Sequence, residues 1–358
     1  MQSFVELDRT LAGQPPRLGA QLAQLDFGRG REQFFRDQLP ELLSALAEET
    51  RVASITASNA IENVTVNPDR AERLAVPGGT PRFHNRNERE FAGYRDAIDE
   101  IVRTNGRERL SLPFILHLHR QLFRYTDGGG GELKREQNLI VSYERGRRQT
   151  LFTPPPPERT EYLLRELAER YQAAVDQQLA HPVVLVAAFV LDFLAIHPVA
   201  DGNGRLSRLL TTHLLLQHGY SVTRYVSVEQ RIFEGKHAYY DALHESQLGW
   251  HEGGHTIWPW VGYLVGILAE AYQSFEERVA ARRTLTGMRK QDRVQAYILD
   301  HAPESFRIRD VRRALPGISD ETIRIVLARL ALDGRIEIDP LTGGRGPQAA
   351  WRRIAAGH

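Results

Sequence analysis

Twelve residues from His197 to Arg208 combine a histidine, a carboxylate, two glycines that flank an amide, and two arginines three positions apart. An imidazole has an ordinary pKa near ~6.5 and can accept a proton at neutral pH. His197 stands at the entrance of this run and is therefore a candidate general base.

The rest of the run is suited to binding phosphate groups. Gly202 and Gly204 let the backbone turn sharply and approach a ligand closely, so that several N–H groups can surround one anion. Arg205 and Arg208 leave neighbouring parts of one helical turn, and each can bond phosphate oxygens in a bidentate way. Asp201 would repel a phosphate unless a cation lies between them, and Mg²⁺ is the usual cation in that position.

Apolar segments on both sides of the run must hold it in place. Val183–Ile196 is almost wholly apolar, which predicts a buried helix, and Leu206–Leu216 predicts a second helix. The polar run is thus a loop that leads into a helix N-terminus, where anions are favoured. Each feature alone is more often structural than functional, but their combination within so short a run indicates a site.

The run resembles the signature of the Fic family, His-Pro-Phe-x-Asp/Glu-Gly-Asn-Gly-Arg-x-x-Arg. Every polar position is matched, and Val199 stands where the family has phenylalanine. The resemblance implies an enzyme that moves AMP from ATP to a Ser, Thr or Tyr hydroxyl of a target protein, which could be the chain itself. It implies that His197 is the base and that Asp201 holds Mg²⁺.

The same resemblance assigns the phosphate contacts. It implies that Asn203 and the backbone of Gly202 and Gly204 bind the phosphates. Arg205 would contact the phosphates near the transferred group, and Arg208 would contact the γ-phosphate. The second arginine favours a nucleoside triphosphate as donor, while the sequence leaves open whether AMP or another nucleotide is transferred.

A second segment, residues 58–63, resembles the family's inhibitory helix, Ser/Thr-x-x-x-Glu-Gly/Asn. Ser58 and Glu62 are four positions apart and would share one face of a helix. The resemblance implies that Glu62 reaches into the site and pairs with Arg208, so that ATP binds in an unproductive pose. In some relatives the same glutamate also helps to remove AMP, and the sequence leaves that second activity open.

Two further segments resemble other parts of the family. Residues 137–153 carry β-branched and aromatic residues around Gly146, which predicts a hairpin. This hairpin resembles the family's flap, whose edge aligns a target segment by strand addition. Tyr239 and Tyr240 resemble an element near the adenine base, with packing in the core as the alternative.

Composition narrows the class of protein. The 358 residues are 42% hydrophobic and 25% charged, which predicts a globular chain of two or three domains. The absence of cysteine excludes disulfides and thiolate metal sites and favours a cytoplasmic location. We expect no membrane association, because the N-terminus lacks a signal pattern and Val183–Ile196 is too short to cross a bilayer.

The predicted fold is mainly α. Residues 1–52 form a helical lead-in, residues 53–285 a Fic-type helical core with a small β-hairpin flap, and residues 286–358 a C-terminal domain. Three helices and two strands are predicted in that last part, an arrangement that resembles a winged helix-turn-helix.

Two functions from different classes follow from these features. The first is a protein adenylyltransferase inhibited by Glu62. The alternative is a DNA-binding transcriptional regulator whose Fic-type core senses a nucleotide.

The function of the C-terminal residues and the oligomeric state of the protein both leave alternatives open. Residues 287–358 carry 13 Lys and Arg against 9 Asp and Glu, and Arg324 and Arg345 would contact DNA. Asp320 and Glu321 would oppose its phosphates, so the tail could instead serve protein contacts. A homodimer is also consistent with the resemblance.

Overall fold

The computed structural model describes residues 2–78, 82–144, 147–286, 289–315, 317–340 and 349–354. Within these ranges the chain is mainly helical, with two small antiparallel sheets. In chain order the elements are α1 (Gln2–Val5), α2 (Leu7–Ala12), α3 (Leu18–Gln38), α4 (Pro40–Ile61), α5 (Pro68–Leu74), α6 (Arg86–Thr104), α7 (Leu112–Leu122), β1 (Ile140–Glu144), β2 (Arg147–Phe152), α8 (Pro157–Asp176), α9 (Pro182–Ile196), α10 (Asn203–Gln217), α11 (Val228–Glu234), α12 (Lys236–Gln247), α13 (Trp258–Thr286), α14 (Lys290–Ala296), β3 (Ser305–Arg307), α15 (Ile308–Ala314), α16 (Asp320–Leu332), β4 (Ile336–Ile338) and β5 (Ala350–Arg353).

The contacts divide the chain into two compact units. The first unit comprises Met1–Phe34 and Thr50–Tyr272, and the second comprises Phe35–Glu49 and Gln273–His358. The predicted domain boundaries after residues 52 and 285 remain predictions.

Helix α9 forms the centre of the first unit. Every residue from Val183 to Ile196 is buried, and α8 and α10 pack along its sides. Pro182 occupies the first turn, where its missing N–H costs nothing, and the Nδ1 atom of His181 accepts from the Val183 N–H at 3.2 Å. The two helices expected around the polar run are therefore present, and α10 begins at Asn203, three residues earlier than predicted.

One carboxylate lies inside this apolar helix. Asp192 accepts from the Ser3 N–H at 3.0 Å, from the Ser3 hydroxyl at 2.8 Å and from the indole N–H of Trp250 at 2.6 Å. A buried carboxylate is tolerated when its lone pairs are satisfied in this way. Asp192 thereby joins α1, the first element of the chain, to the central helix.

The predicted hairpin is confirmed. Strands β1 and β2 pair antiparallel, with Ser142 opposite Gln149, and α8 begins five residues after β2 ends. The ring of Phe152 stacks on His251 and meets the edge of Trp250, which fixes the end of β2. Gly146, at the centre of the predicted turn, lies outside the described residues.

The second unit has its own small core. Helices α14, α15 and α16 enclose apolar side chains such as Val294, Phe306 and Leu327, and strands β3, β5 and β4 form an antiparallel sheet in that order. Strand β3 was not predicted, because three residues are too few to show an alternating pattern. Glu49 pairs with Arg278 at 2.9 Å and with Arg282 at 2.7 Å.

Among the described residues, each helix is either too short or too polar to cross a lipid bilayer.

Candidate active site

The polar run forms a tight loop between α9 and α10. His197 ends α9 in the left-handed conformation, with φ of 50°, and Gly202 precedes α10 with φ of 86°. Glycine adopts that second value freely, whereas a histidine does so only when its surroundings hold it there. The loop therefore places a histidine side chain and a helix N-terminus side by side.

Two residues from the segment before the hairpin hold this loop by its carbonyl groups. The Lys134 ammonium donates to the Ile196 carbonyl at 3.0 Å, and the Lys134 N–H donates to the Pro198 carbonyl at 2.9 Å. The Asn138 amide donates to the carbonyls of His197 and Val199, each at 3.1 Å. We call Lys134 and Asn138 the loop clamp, because together they bind four successive carbonyls.

The amide of Asn203 fixes the other side of the loop. Its Nδ2 donates to the Val199 carbonyl at 2.7 Å, and its Oδ1 accepts from the Val199 N–H at 3.1 Å. Val199 itself is fully buried. The Asn203 side chain is thus engaged with the loop backbone, which leaves its N–H, at the start of α10, as the group available to an anion.

His197 is held as a neutral base. Its Nδ1 lies 3.3 Å from the Leu194 carbonyl, and a carbonyl can only accept, so Nδ1 carries the proton and Nε2 keeps its lone pair. Burial lowers the pKa of His197 to about 4, with the nearby charge of Lys134 acting in the same direction and that of Glu62 opposing it. Burial likewise lowers the pKa of Lys134 to about 8.

Asp201 lies at the rim of the loop with its carboxylate mostly exposed. Arg86 approaches that carboxylate at 3.3 Å. The backbone of Asp201 is fixed by His119, whose Nε2 lies 3.1 Å from the Asp201 carbonyl while its Nδ1 accepts from the Gly131 N–H. A cleft of about 270 Å³ opens beside Asp201, with Arg86 and Arg89 in its wall.

The donor set around Asp201 limits the kind of metal site that fits. Within the described ranges, no three histidine or acidic side chains converge as a metal-binding group. One exposed carboxylate at a phosphate-binding loop fits a Mg²⁺ ion that takes most of its ligands from phosphates and water. Asp201 meets that requirement.

Arg205 is buried beneath the loop. Its Nη1 pairs with Glu90 at 2.5 Å, its guanidinium lies over the ring of Phe123, and both charged side chains of the pair are almost fully buried. Burial of this kind leaves little of the Arg205 side chain open to a ligand. Its charge lies under the first turn of α10, where it adds to the positive potential at the helix N-terminus.

Arg208 contacts both residues of the predicted inhibitory segment. Its Nε donates to the Ser58 hydroxyl at 2.8 Å, and its Nη2 donates to the Ser58 carbonyl and to Glu62 Oε1, each at 2.9 Å. The Glu62 carboxylate also lies against α10, since a Cβ built on Gly204 would meet Oε1 at 2.1 Å. The glutamate therefore places its negative charge at the N-terminal turn that the sequence predicts for phosphates.

The end of α4 is held so that Glu62 points this way. Glu62 follows the last residue of α4, and its N–H donates to the Asn59 carbonyl. The ammonium of Lys236 donates to the Ile61 carbonyl at 3.0 Å and lies 3.3 Å from that of Ala60. A cation at these free carbonyls stabilises a helix C-terminus.

The two tyrosines differ in access. Tyr239 is buried and packs edge-on against Trp260 and Tyr263, whereas Tyr240 is about half exposed. The core-packing alternative therefore describes Tyr239, and Tyr240 is the one open to a ligand.

The structure gathers most of the predicted site residues of the first unit. The loop between α9 and α10 carries His197 and Asp201. Beside it lie Gly204 and Arg208 on α10 and Glu62 after the end of α4. Arg324 lies on the exposed face of α16 in the second unit, and Arg345 falls outside the described residues.

Several residues of the site were not predicted. These residues are Lys134, Asn138, His119, Glu90 and Lys236. Their side chains reach the loop or α4 from 59 to 175 positions away in the chain, so no local motif marks them.

Comparison with known proteins supports a Fic-type region. Residues 109–215 match the profile of the Fic/DOC family. The protein adenylyltransferase Fic of Aedes aegypti is 31% identical over 180 residues, 49% of this chain and 32% of its own length. That of Nematostella vectensis is 27% identical over 209 residues, 56% of this chain and 44% of its own length. The chain thus spans less than half the length of these relatives.

The fold is also similar to a solved structure. A Fic family protein from Desulfovibrio desulfuricans G20 superposes with a TM-score of 0.59 at 22% sequence identity, over 96% of this chain and 98% of that one. Such identity supports the fold alone. The two relatives named above are protein adenylyltransferases by name, and that activity is stated of those proteins.

Proposed function

We propose that this protein transfers AMP from ATP to a hydroxyl side chain of a target protein, and that Glu62 holds it in an inhibited state. The contact between Glu62 and Arg208, 2.9 Å from carboxylate oxygen to guanidinium nitrogen, carries the proposal. A carboxylate on the N-terminal turn of α10 mimics a phosphate and competes with one for the same cation.

In this reaction His197 is the general base. The target hydroxyl oxygen forms a bond to the α-phosphorus of ATP, the bond from that phosphorus to the bridging oxygen breaks, and pyrophosphate leaves. The hydroxyl proton passes to Nε2 of His197, which the bond from Nδ1 to the Leu194 carbonyl leaves unprotonated. A folded-state pKa of about 4 keeps this nitrogen free at neutral pH.

The phosphates would lie on the N-terminal turn of α10. The N–H groups of Gly202, Asn203 and Gly204 would surround them, and Arg208 would hold the γ-phosphate once Glu62 withdraws. Arg205, buried against Glu90, would act through its charge. Mg²⁺ would be held by Asp201 and phosphate oxygens, where it offsets their negative charge.

The remaining contacts of the proposed reaction are with the base and the target. Tyr240, the exposed member of its pair, would contact the adenine. The edge of the β1–β2 hairpin would align a segment of the target protein by strand addition. Glu62 could in addition position water for the removal of AMP.

The proposal is tested by incubating the protein with labelled ATP and Mg²⁺. We expect Glu62→Gly to raise AMP incorporation by roughly tenfold or more, because a hydrogen bond to a charged group contributes about 1.5–3 kcal/mol. We expect His197→Ala in that background to abolish incorporation. Glu252→Gly, which changes an exposed glutamate in a turn, is the matched control and should behave as wild type.

Two outcomes would contradict the proposal. One is AMP transfer that survives His197→Ala, which would remove the base from its assigned role. The other is a Glu62→Gly protein that is no more active than wild type toward any target, itself included. A mass increase of one AMP on a recovered target or on the protein identifies the product.

A second candidate function is DNA binding by the C-terminal part, as a winged helix-turn-helix in a regulator. Arg312 pairs with Asp320 at 2.6 Å, which offsets one of the two acidic charges at the start of α16. Arg324 then lies exposed on the same helix. This observation weakens the electrostatic objection to DNA near α16.

Titration of the whole chain against duplex DNA tests this candidate. Binding that weakens with salt and is reduced in Arg324→Ala would support it. Arg324→Ala with unchanged affinity, or no salt dependence, would count against it.

A further inference from the structure

Arg86 begins α6 at a position that is unfavourable for a cation. It is the first residue of the helix, directly after the cap residue Asn85, and a positive charge there opposes the helix dipole. Its guanidinium is engaged instead by two carboxylates. Nε donates to Glu90, one turn along the same helix, at 2.5 Å, and Nη2 donates to Asp201 at 3.3 Å. These two contacts, and not the helix, account for a positive charge at this position.

The contacts belong to a closed set of four charged side chains, Arg86, Glu90, Arg205 and Asp201, which we call the Asp201 frame. Oε1 of Glu90 accepts from Arg86 and Oε2 accepts from Arg205, so one carboxylate joins the two guanidinium groups. Nη2 of Arg205 lies 3.8 Å from Oδ1 of Asp201, which closes the set. With two cations and two anions the frame has no net charge, and Glu90 offsets the repulsion between the arginines.

The frame orients a carboxylate that lies mostly in solvent. The Asp201 side chain is 61% exposed, whereas Glu90 and Arg205 are almost fully buried. Oδ2 of Asp201 accepts from Arg86. The 3.8 Å between Oδ1 and Arg205 is too long for a hydrogen bond, so this contact leaves Oδ1 its lone pairs. Asp201 therefore offers one defined oxygen, on the side of Arg205 and the first turn of α10.

We propose that Arg86 is a positioning residue, which holds the Asp201 carboxylate so that Oδ1 is presented to Mg²⁺ when ATP binds. This inference rests on the proposed function. Metal-binding carboxylates are oriented by hydrogen bonds from groups that do not touch the metal, and losing such a group reduces metal affinity by roughly 10–100-fold. His119 fixes the backbone of Asp201 at its carbonyl, so different elements hold the backbone and the side chain of this residue.

The opposite role for Arg86 would be competition with Mg²⁺ for the carboxylate. Two features favour positioning. The bond from Arg86 to Glu90 is the shorter of its two, and Arg86 contacts only Oδ2 of Asp201, so it need not leave for Oδ1 to bind a cation. Bound ATP also brings negative charge, which offsets the repulsion between Mg²⁺ and the guanidinium. The two roles predict changes of opposite sign when Arg86 is replaced.

The gain in ATP affinity that Mg²⁺ provides tests the proposal without any AMP transfer. Isothermal titration calorimetry of the Glu62→Gly, His197→Ala protein gives the dissociation constant of ATP in EDTA and in Mg²⁺, and their ratio is the gain. We expect Arg86→Gln in that background to reduce the ratio roughly tenfold. A mere loss of positive charge would instead raise the ratio, because it weakens the binding of ATP⁴⁻ more than that of the less charged MgATP²⁻.

Two further variants show whether Arg86 acts through Asp201. Arg89→Gln is the matched control and should leave the ratio unchanged, since Arg89 lies in the wall of the same cleft but contacts Asp127 at 3.1 Å. In an Asp201→Ala protein, Arg86→Gln should cause no further reduction.

An unchanged or higher ratio in Arg86→Gln would overturn the proposal, and so would an equal reduction by Arg86→Gln with and without Asp201. The proposed function fails in a different way. A Glu62→Gly protein that shows the expected ratios but transfers no AMP would contradict that function and leave the role of Arg86 in place.

Discussion

Glu62 and Arg208 lie 146 positions apart in the chain and meet at the N-terminal turn of α10. Arg208 is buried, so the carboxylate satisfies a cation that has little access to water. Removing one partner of a buried ion pair leaves an unmatched charge, and that loss exceeds the gain the pair itself provides. Inhibition and stability are therefore linked at this residue.

The first prediction concerns this link. Glu62→Ala should lower the free energy of unfolding by roughly 2 kcal/mol in the absence of ligand, as measured by urea denaturation. Under the proposed function, ATP with Mg²⁺ should stabilise the variant more than the wild type, because a phosphate replaces the lost carboxylate. Glu62→Gln keeps an acceptor for Arg208, so its free energy of unfolding should fall less than that of Glu62→Ala. Equal stability of variant and wild type without ligand would contradict this account.

The second prediction concerns the loop clamp. The positive charge of Lys134 is one cause of the lowered pKa of His197, so Lys134→Met should raise that pKa and Lys134→Arg should leave it low. Nuclear magnetic resonance titration of His197 measures the shift directly. Glu62 is the other charged group that acts on this imidazole, and it is retained in both variants.

The pH dependence of the reaction rate should shift in the same direction as the pKa of His197. Because His197 acts as a base only when neutral, activity should fall at low pH, and in Lys134→Met this fall should begin at a higher pH. Lys134→Met also removes the ammonium bond to the Ile196 carbonyl, while the bond from the Lys134 backbone N–H to the Pro198 carbonyl is retained. At pH values above this fall, the rate should therefore be roughly 10–100-fold lower, because the base is less well placed. If the His197 pKa were the same in Lys134→Met and Lys134→Arg, the electrostatic role of Lys134 would be refuted.

At this scale the motifs predict that Glu62 pairs with Arg208, and the two side chains lie 2.9 Å apart in the structure. Ser58 was expected only to share a helix face with Glu62, and its contact with Arg208 was not predicted. The prediction was less complete for Asn203 and Arg205, whose side chains the fold engages with Val199 and Glu90. A sequence shows which side chains could reach a phosphate, but not which of them the surrounding fold already occupies.

At the scale of elements, the apolar helix α9 contains one carboxylate, Asp192, that other elements contact. Asp192 satisfies the N–H and hydroxyl of Ser3 and the indole N–H of Trp250. The Ser3 N–H and the Trp250 indole N–H would lose this acceptor if the carboxylate were removed, and each such loss costs about 1–3 kcal/mol. The Ser3 hydroxyl also contacts His255 Nε2 at 3.0 Å and would keep that partner.

The third prediction follows from that arrangement. Asp192→Leu should lower the free energy of unfolding by roughly 3 kcal/mol or more and should release α1, which urea denaturation and limited proteolysis near the N-terminus would detect. Trp250→Phe removes only the indole N–H donor, so its free energy of unfolding should fall less than that of Asp192→Leu. Unchanged protection of residues 2–5 in Asp192→Leu would show that α1 is held by other contacts.

Elements with a strong periodic pattern were predicted well. Helices α9 and α10 and the β1–β2 hairpin lie close to their expected bounds, because apolar runs and alternation are local properties of a sequence. Strand β3 escaped prediction, since three residues acquire their strand conformation only by pairing with β5.

At the scale of the whole molecule, the folded chain contains buried histidines whose pKa values lie below the ordinary one. Burial lowers the pKa of His213 to about 4, and its Nε2 lies 2.9 Å from the Glu108 carbonyl. His197 has a similarly low pKa for the same reason. Unfolding exposes both rings, which then bind protons more readily than in the folded state.

The fourth prediction is the resulting pH dependence of stability. Since the folded-state pKa lies below the unfolded value of ~6.5, this contribution is fully present above pH ~6.5 and is lost as the pH falls toward about 4. The loss should reach a few kcal/mol per histidine, on the order of 3. Urea denaturation at a series of pH values measures it.

His213→Gln provides the control for this prediction. Glutamine can donate to the Glu108 carbonyl but does not titrate, so the variant should show a shallower decrease in stability across this interval. Glu88, whose pKa the guanidinium of Arg70 lowers to about 2 despite the opposing effect of burial, should contribute a separate decrease only at lower pH. Identical pH slopes for wild type and His213→Gln would refute the assignment.

The Glu62–Arg208 contact also has a genetic consequence. Both codons for glutamate become glycine codons by one base change in the second position. Under the proposed function, a constitutively active form lies a single mutation away, and it would be dominant because an uninhibited enzyme acts whether or not an inhibited copy is present. A screen for loss of AMP transfer from a Glu62→Gly protein should therefore recover second mutations at His197 and the loop clamp.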